Sequence, residues 1–171
     1  MLTTIEIGGE PFAFSAAHAS LHGGEFEPLH GHTFTLTLRL HGEAGEDGMI
    51  ADFRLIKKAL AEVIAPLRRR TLMPADAPGV SSWHEDGQVL IVGGARRFSL
   101  PAADVVMLPL VNTTTEAIAA HLASQFVPYV RDEPGVGAVE LTLAEAAGTA
   151  ATITVGLSGG GVGGLARAEG A

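Results

Sequence analysis

The chain contains no cysteine among its 171 residues. This absence excludes disulfides, thiolate metal ligands and a cysteine acting as nucleophile or base. Basic residues are also few, because 11 Lys and Arg stand against 19 Asp and Glu and give a formal net charge of −8. Since nucleic-acid binding relies on clustered basic side chains that neutralise phosphates, the acidic balance argues against a nucleic-acid partner.

Long apolar runs and targeting signals are missing as well. No apolar run approaches the roughly 20 residues that span a bilayer, and residues 1–6 have neither the basic nor the apolar region of a secretory signal. We therefore expect a cytoplasmic protein with no membrane partner. The length predicts a single domain over residues 1–156. The Gly-rich tail over 157–171 lacks the Lys-Ser/Thr of a phosphate loop and is interpreted as flexible and non-catalytic.

Apolar periodicity predicts a mixture of strands and helices. The expected elements are alternating strands at 12–18, 30–40, 139–145 and 151–155, helices at 53–67 and from Thr113 or Thr114 to Pro128, and a hairpin at 89–100 around Gly93-Gly94. This order predicts an α+β fold with one antiparallel four-stranded sheet, two helices on one face and an inserted hairpin. We interpret residues 79–109 as an insertion.

Histidines are concentrated in the first quarter of the chain, where five of the seven occur. Residues i and i+2 of a strand share a face, so His30 and His32 can reach one ion, and an antiparallel neighbour would add His18. Three imidazoles with an open fourth position are typical of a catalytic zinc site. The alternative is that these are separate histidines bonded to backbone in the core or at the surface. Because His-x-His is a short pattern, its spacing leaves both interpretations open.

Glu145 is a carboxylate in an unusual place. It shares its parity with Val139, Leu141 and Leu143, so it is expected at the end of an apolar strand face. An unpaired carboxylate is costly there, which points to a ligand or a partner. The alternative is a solvated residue at the strand end.

Five motifs spread over about residues 5–155 form a specific combination. They are Phe12-Ala13-Phe14-Ser15-Ala16-Ala17-His18, His30-Gly31-His32, Gly48-Met49-Ile50-Ala51-Asp52-Phe53 with Lys57, Asn112-Thr113-Thr114-Thr115-Glu116, and Val139 to Glu145. Together they resemble the 6-pyruvoyl-tetrahydropterin synthase and 6-carboxytetrahydropterin synthase family. The resemblance implies the T-fold, with two helices between the second and third strands of an antiparallel sheet. It also implies assembly into homotrimers or hexamers with active sites between subunits.

The resemblance further implies a zinc-dependent lyase acting on a dihydropterin such as 7,8-dihydroneopterin triphosphate. The zinc ligands it implies are His18, His30 and His32. Glu145 matches the carboxylate that accepts the paired N–H groups of the pterin ring. Thr114 and Thr115 would hold the ring through hydroxyl or backbone contacts, although both could instead cap the second helix.

The sequence departs from the family at its catalytic base. The family has a cysteine four residues before His-Gly-His, where this chain has Phe26. Glu27 precedes His30 by three residues, which resembles a variant branch in which glutamate replaces the cysteine and the product is 6-hydroxymethyl-dihydropterin. A carboxylate can be a general base if burial brings its pKa toward neutrality. The alternative is that Glu25 and Glu27 are loop charges.

A second departure affects the family's Leu-Asp-His segment, which is Leu67-Arg68-Arg69 here. Arginine cannot act as an acid or base near neutral pH, although either arginine could bind a triphosphate. His84 could replace the lost imidazole or be a surface histidine. Three functions therefore remain. The first is a zinc-dependent pterin enzyme with Glu27 as base, and the second is a pterin- and metal-binding homologue that has lost the synthase reaction. The third is a plain metal-binding module.

Overall fold

Three sheets, of six, three and two strands, organise residues 1–157, which are the residues that this computed structural model describes. The strands are β1 (Leu2–His18), β2 (Leu21–His22), β3 (Glu25–Phe26), β4 (His30–Glu43), β5 (Thr71–Pro74), β6 (Val80–Glu85), β7 (Gln88–Gly93), β8 (Arg96–Pro101), β9 (Val105–Leu108), β10 (Val136–Ala146) and β11 (Thr149–Gly156). The helices are α1 (Phe53–Ile64) and α2 (Thr115–Phe126). The main sheet has the strand order β11-β10-β4-β1-β5-β9.

The four predicted strands are confirmed as the antiparallel part of this sheet. They are β1, β4, β10 and β11, and each is longer than its apolar alternation indicates. The prediction of four antiparallel strands is incomplete, because β5 and β9 extend the sheet beyond β1 in parallel orientation. Each of these two strands has four residues. A short apolar run shows no usable period, so these two strands were not predictable from alternation.

Helix α1 begins where predicted and ends earlier. The Asp52 carboxylate accepts a hydrogen bond from the backbone N–H of Arg54 at 2.8 Å and caps the helix. The predicted end at Leu67 is wrong for the α-helix, which stops at Ile64 and continues as a 3-10 turn over Ala65–Leu67. Pro66 explains the change, because proline has no N–H to donate and its ring disfavours a continuing α-helix.

Helix α2 follows its prediction closely. Thr114 is the N-cap, and its hydroxyl accepts from the Ala117 N–H at 3.3 Å. Ile118, Leu122 and Phe126 are buried as expected. Both helices pack on the sheet face that carries the buried apolar residues of β4, so one core lies between the helices and the sheet. Each large apolar side chain in it contributes roughly 1.5–3 kcal/mol of burial free energy.

The predicted hairpin is confirmed as β7 and β8, within a three-stranded small sheet that also includes β6. Gly93 pairs with Arg96, so the two-residue turn is Gly94-Ala95 rather than Gly93-Gly94. Gly94 has φ of +59°, a conformation that favours glycine. Strand β6 was not predicted because most of its side chains are exposed and it has no apolar face to reveal it.

Two further sequence expectations concern membrane-spanning segments and the C-terminal tail. Each of the two helices has 12 residues, and no helix within residues 1–157 is long and apolar enough to cross a membrane. The expectation of a flexible, non-catalytic tail falls on residues 158–171, which lie outside the described residues. Leu157 is described, and its N–H donates to the Gly137 carbonyl at 2.9 Å.

Candidate functional site

Three histidines meet where β1 ends and β4 begins. The antiparallel register places His18 opposite His30 and Ala16 opposite His32. After the bulge between Gly8 and Ala13, the even-numbered residues of β1 share the core face with those of β4, so all three rings extend from that face. The ring centroids lie 4.7 Å (His18–His30), 5.2 Å (His18–His32) and 4.8 Å (His30–His32) apart. One nitrogen from each ring lies within 4.8 Å of the others, a spacing at which the three can hold one metal ion.

Hydrogen bonds fix the orientation of two of these rings. His18 Nδ1 lies 2.8 Å from the Thr113 carbonyl, and His30 Nδ1 lies 2.9 Å from the Pro28 carbonyl. A carbonyl oxygen can only accept, so each Nδ1 carries the proton and each Nε2 retains its lone pair. His18 Nε2 is buried and has no hydrogen-bond partner among residues 1–157. A ring held through Nδ1 with a free, buried Nε2 is the arrangement of a metal ligand.

Electrostatics favour the neutral form of His18. Burial lowers the pKa of His18 below its ordinary value, the bond to the Thr113 carbonyl opposes this, and the neighbouring His30 and His32 add to the lowering. A neutral imidazole is the form that binds a metal. Phe34 lies against this group, with its ring centroid 5.6 Å from both His18 and His32, and separates it from the core.

Glu27 lies in the segment between β3 and β4, beside the histidines. Its Oε1 accepts from the Ser20 N–H at 2.8 Å, and its own N–H donates to the Ser20 carbonyl at 2.9 Å. Its Oε2 lies 4.0 Å from His22 Nε2. The side chain is 29% exposed, so solvent reaches only part of it. Glu27 is therefore a fixed residue rather than a free loop charge.

The pKa of Glu27 differs from the sequence expectation. Burial raises this pKa, but the hydrogen bonds from Ser20 and the neighbouring His30 and His18 together lower it more, so the net shift is downward. Burial therefore does not bring this carboxyl toward neutrality. Glu27 is a carboxylate near neutral pH, ready to accept a proton without first losing one.

Glu145 lies at an irregularity of β10, where the pairing with β11 shifts between Ala144 and Ala146. The Thr115 hydroxyl donates to its Oε2. Thr114 caps α2, so the capping interpretation is correct for Thr114, while the hydroxyl of Thr115 is directed to the carboxylate. Irregular positions of this kind redirect a side chain, here at the end of an apolar face.

One cavity of about 290 Å³ is lined by every candidate site residue except His32, which lines a second, larger depression. Its walls include His18, Ser20, His22, Glu27, His30, Thr114, Thr115, Glu116, Glu145 and Thr149 to Ala151. Imidazoles and the Glu27 carboxylate therefore share one space with the Glu145 carboxylate. A ligand in this cavity would meet a metal-binding group, a proton acceptor and a second carboxylate with unused acceptor capacity.

Arg68, Arg69 and His84 are not part of this cavity. Arg68 donates to the Ala13 carbonyl at 2.9 Å and to the Pro11 carbonyl at 3.4 Å. Arg69 has a φ of +58° and lines a separate, larger depression with Arg70 and Asp104. His84 lies exposed on β6, paired opposite Val89. Within one chain, none of these side chains stands in for the missing Asp-His pair.

Ser20, Asn112 and Thr113, to which the sequence analysis assigned no role in the site, hold the site in place. The Thr113 carbonyl accepts from both His18 Nδ1 and the Ser20 hydroxyl, and the Thr113 hydroxyl donates to the Ala19 carbonyl at 3.1 Å. The Asn112 side chain bonds both the N–H and the carbonyl of Leu21. The Asn-Thr-Thr-Thr motif marked this region, but contacts across more than 90 residues leave no local signal in the sequence.

Known proteins similar to this chain agree with the geometry. The chain is 28% identical over 120 residues to a provisionally assigned 6-carboxy-5,6,7,8-tetrahydropterin synthase of Methanocaldococcus jannaschii, covering 70% of this chain and 74% of that protein. A Pyrococcus abyssi protein with the same provisional assignment is 32% identical over 101 residues, which is 58% of each chain. Dihydroneopterin monophosphate aldolase of Pyrococcus furiosus is 42% identical over 60 residues, or 35% of this chain and 51% of the enzyme.

Solved structures share the fold. The 6-pyruvoyl tetrahydropterin synthase of Plasmodium vivax has a TM-score of 0.86 and 24% identity, covering 92% of this chain and 99% of that chain. A variant of that protein, in which a catalytic glutamate is replaced by alanine, has the same TM-score of 0.86. The family model of 6-pyruvoyl tetrahydropterin synthase matches residues 8–155, from β1 to β11 and across the whole cavity. The chain therefore belongs to the 6-pyruvoyl tetrahydropterin synthase family, a family of pterin enzymes.

Proposed function

We propose that this protein is a zinc-dependent enzyme of the lyase type that acts on 7,8-dihydroneopterin triphosphate or a related dihydropterin, with Glu27 as its base. The observation that carries the proposal is that one cavity is lined by His18, Glu27 and Glu145 together. Each group matches one requirement of the chemistry: a Lewis acid, a proton acceptor and an anchor for the ring.

Glu145 is the proposed anchor for the pterin. Its Oε2 receives the Thr115 hydroxyl, which orients the carboxylate and leaves acceptor sites on both oxygens. A carboxylate can accept two parallel N–H bonds from the guanidine-like edge of a pterin ring. Thr114 lines the same cavity, and it contributes its position at the start of α2 rather than its hydroxyl, which caps the helix.

His18, His30 and His32 are the proposed zinc ligands. The free, buried Nε2 of His18 and the Nδ1 bonds of His18 and His30 support this donor set. An all-histidine set with an open position suits catalytic zinc better than structural zinc, which usually includes cysteine. When bound, zinc supplies a Lewis acid that lowers the pKa of substrate hydroxyls and stabilises a developing carbonyl oxygen.

Glu27 is the proposed proton acceptor. It is a carboxylate at neutral pH, and its bonds with Ser20 hold it at the wall of the cavity that His18 also lines. From there it can accept the proton of a substrate side-chain hydroxyl. A glutamate is also a catalytic residue in the Plasmodium vivax synthase, which supports a carboxylate base on this fold.

Two reaction outcomes fit such a base. Loss of phosphate with rearrangement of the side chain is the synthase outcome. Cleavage of the side-chain carbon–carbon bond, which leaves a 6-hydroxymethyl pterin and releases the two outer carbons as an aldehyde, is the aldolase outcome, and the similarity to the Pyrococcus furiosus aldolase supports including it. Both outcomes require a group that accepts a proton from the substrate side chain.

We also propose that the chain assembles into a homotrimer or hexamer with sites between subunits. The sheet face opposite the helices carries Thr33, Thr35, Thr37 and Arg39, a polar surface suited to the inside of a closed barrel of subunits. Light scattering coupled to size-exclusion chromatography should give a mass of three or six chains, whereas the mass of one chain would refute this assembly.

The second candidate is a pterin- and metal-binding homologue without synthase activity. The observation in its favour is that Arg68 and Arg69 replace an Asp-His pair, and that Arg68 is engaged by the carbonyls of Pro11 and Ala13. Under this alternative the protein binds pterin and zinc but leaves the substrate intact.

The deciding experiment incubates zinc-loaded protein with 7,8-dihydroneopterin triphosphate and, separately, with the monophosphate. Mass spectrometry distinguishes pyruvoyl, carboxy and hydroxymethyl pterin products. Any of these products supports the enzyme, and tight pterin binding without product supports the second candidate. If the protein neither bound nor converted the pterin, both candidates would be refuted, and a plain metal-binding module would be the remaining interpretation.

A further inference from the structure

We propose that the small sheet (β6, β7 and β8) positions the base, with Arg96 as the positioning residue that holds the Glu27 segment against the histidines. The inference rests on the proposed function, because it gives Glu27 the role of base. It assigns a task to a part of the chain that the catalytic chemistry otherwise leaves unused.

The first contact is made by Arg96 at the start of β8. Its Nε donates to the carbonyl of Phe26 at 2.7 Å. Phe26 immediately precedes Glu27, so this bond fixes the peptide unit from which Glu27 extends. A charge-assisted bond to a carbonyl is shorter and stronger than a neutral one, and the guanidinium gives it a defined direction.

The second contact is made by Glu25, on the β2–β3 hairpin that precedes Glu27. The Glu25 carboxylate accepts from the Ala95 N–H at 2.8 Å, within the β7–β8 turn. Gly94 leaves room for this carboxylate, because an added Cβ would collide with it. The β7–β8 hairpin therefore donates two hydrogen bonds to the β2–β3 hairpin, one to the Glu25 side chain and one to the Phe26 carbonyl.

The third contact is apolar. Phe26 is 3% exposed, and its ring meets Phe98 edge to face with centroids 5.4 Å apart. A Cβ at Gly93 would lie 2.6 Å from the Phe26 ring, so the glycine allows the ring to lie close to β7. Phe26 belongs to a second hydrophobic cluster with Ala19, Met73, Val89 and Ile91, separate from the main core. Phe26, the residue before Glu27, is thus buried in a cluster to which the small sheet contributes Val89, Ile91 and Phe98 and to which neither helix contributes.

Glu27 itself is held from the other side by Ser20, whose hydroxyl donates to the Thr113 carbonyl at 3.3 Å. The same carbonyl orients His18. The base therefore lies between two supports: Ser20, linked to the metal-binding histidine, and Phe26, linked to Arg96. A displacement of about 1 Å at such a group can cost on the order of 100-fold in rate.

The chain offers a matched control at the next position. Residues alternate sides along β8, so Arg97 points away from Phe26 and instead lies over the Trp83 ring at 5.8 Å. Arg97→Ala removes the same charge from the same strand without touching the Glu27 segment. Arg96→Lys keeps the charge and one donor, so it should restore part of what Arg96→Ala loses.

The structural arm of the test measures amide hydrogen exchange on the purified zinc-loaded protein. Arg96→Ala should speed exchange in residues 20–28 about tenfold and leave exchange in α2 and β10 unchanged. Arg97→Ala should leave exchange in residues 20–28 unchanged. Arg96→Lys should give an exchange rate between those of Arg96→Ala and the wild type. Unchanged exchange at 20–28 in Arg96→Ala would overturn the proposal. Arg96 is exposed on β8, so we expect each variant to fold, and the melting temperature of each variant checks this.

The kinetic arm measures turnover of the dihydropterin. Arg96→Ala should lower kcat about tenfold with KM and zinc content unchanged, and it should cause no further loss in a Glu27→Gln background. An independent, additive loss in that background would show that Arg96 does not act through Glu27. If the wild type itself produced no product, the proposed function and the catalytic part of this inference would both fail. The exchange measurement would still decide separately whether the small sheet holds the segment.

Discussion

His18 lies directly opposite His30 in the antiparallel pairing of β1 and β4, with ring centroids 4.7 Å apart. The pairing brings together two imidazoles from strand ends that are 12 residues apart in sequence. His32 joins them because it follows His30 by two positions on the same face. The arrangement of the three histidines is therefore a direct product of strand register, and a change of register by one residue would separate the three rings.

Removing one ligand should abolish stoichiometric metal binding. In His30→Ala two imidazoles remain, and we expect zinc affinity to fall about 100-fold or more, since even the loss of an outer hydrogen bond costs 10–100-fold. Metal content after dialysis, measured by mass spectrometry of the eluted protein, tests this. His84→Ala is the control, because His84 lies on β6 away from the cavity, and its metal content should equal that of the wild type. Equal metal content in His30→Ala would contradict the assigned site.

Glu145→Gln should weaken pterin binding and retain the metal. The amide keeps the size of the side chain but presents an NH₂ group to the N–H donors of the ring, so we expect affinity to fall about 10–100-fold through a lost charged bond and an unpaired donor. Fluorescence titration with a dihydropterin measures the affinity. Glu10→Gln, an exposed position on β1, serves as the charge-matched control. Equal affinities in Glu145→Gln and the wild type would exclude Glu145 as the anchor.

Much of the fold could be predicted because the relevant signals are local. Alternation located β1, β4, β10 and β11, and Asp52 and Thr114 marked the starts of both helices. Short parallel strands such as β5 carry no such signal, because their pairing partners are distant and their apolar runs fit a helix or a strand equally well. For the same reason β6, with its exposed side chains, was not predicted.

The candidate site was predicted in its residues and less well in its electrostatics. Parity along two strands was enough to propose that His18, His30 and His32 meet. The downward shift of the Glu27 pKa could not be predicted, because it depends on a backbone N–H of Ser20 that only the folded β2–β3 region brings to the carboxylate. The Thr113 carbonyl, which orients His18 from 95 positions away, was equally beyond sequence reasoning.

Stability should depend on pH through Glu140. The hydrogen bond from Arg39 at 2.7 Å lowers the pKa of Glu140 below its ordinary 4.5, burial opposes this, and the charges of Arg39 and His41 add to the lowering. Because the folded-state pKa is the lower one, the contribution to stability is present above pH 4.5 and is lost as pH falls through the folded-state pKa. Glu140→Gln should therefore lower the melting temperature at neutral pH and have a smaller effect in acid.

This comparison is made on metal-free protein in the presence of a chelator, so that metal binding does not contribute to the pH dependence. Glu46→Gln, in the exposed loop before α1, should change the melting temperature little at either pH. A difference between wild type and Glu140→Gln that stays constant or grows in acid would contradict the assigned pairing with Arg39.

The core between α1 and the sheet should be sensitive to truncation. Leu60 is fully buried, and Leu60→Ala should reduce the free energy of unfolding by about 2–5 kcal/mol through lost apolar contact and a residual cavity. Leu55, on the same helix, is 60% exposed, so Leu55→Ala should cost about 0.5 kcal/mol or less. Urea unfolding of both variants measures the difference. Similar losses for the two would show that α1 does not pack by the face described.

The central claim is that Glu27 is the base of a pterin reaction carried out beside the histidine cluster. The most direct measurement compares product formation from a phosphorylated 7,8-dihydroneopterin by zinc-loaded wild type and Glu27→Gln, with zinc content and pterin affinity measured on the same samples. We predict that the wild type releases a pterin product, and that Glu27→Gln binds zinc and pterin normally while its kcat falls at least about 100-fold. Equal turnover by the two proteins would contradict the claim.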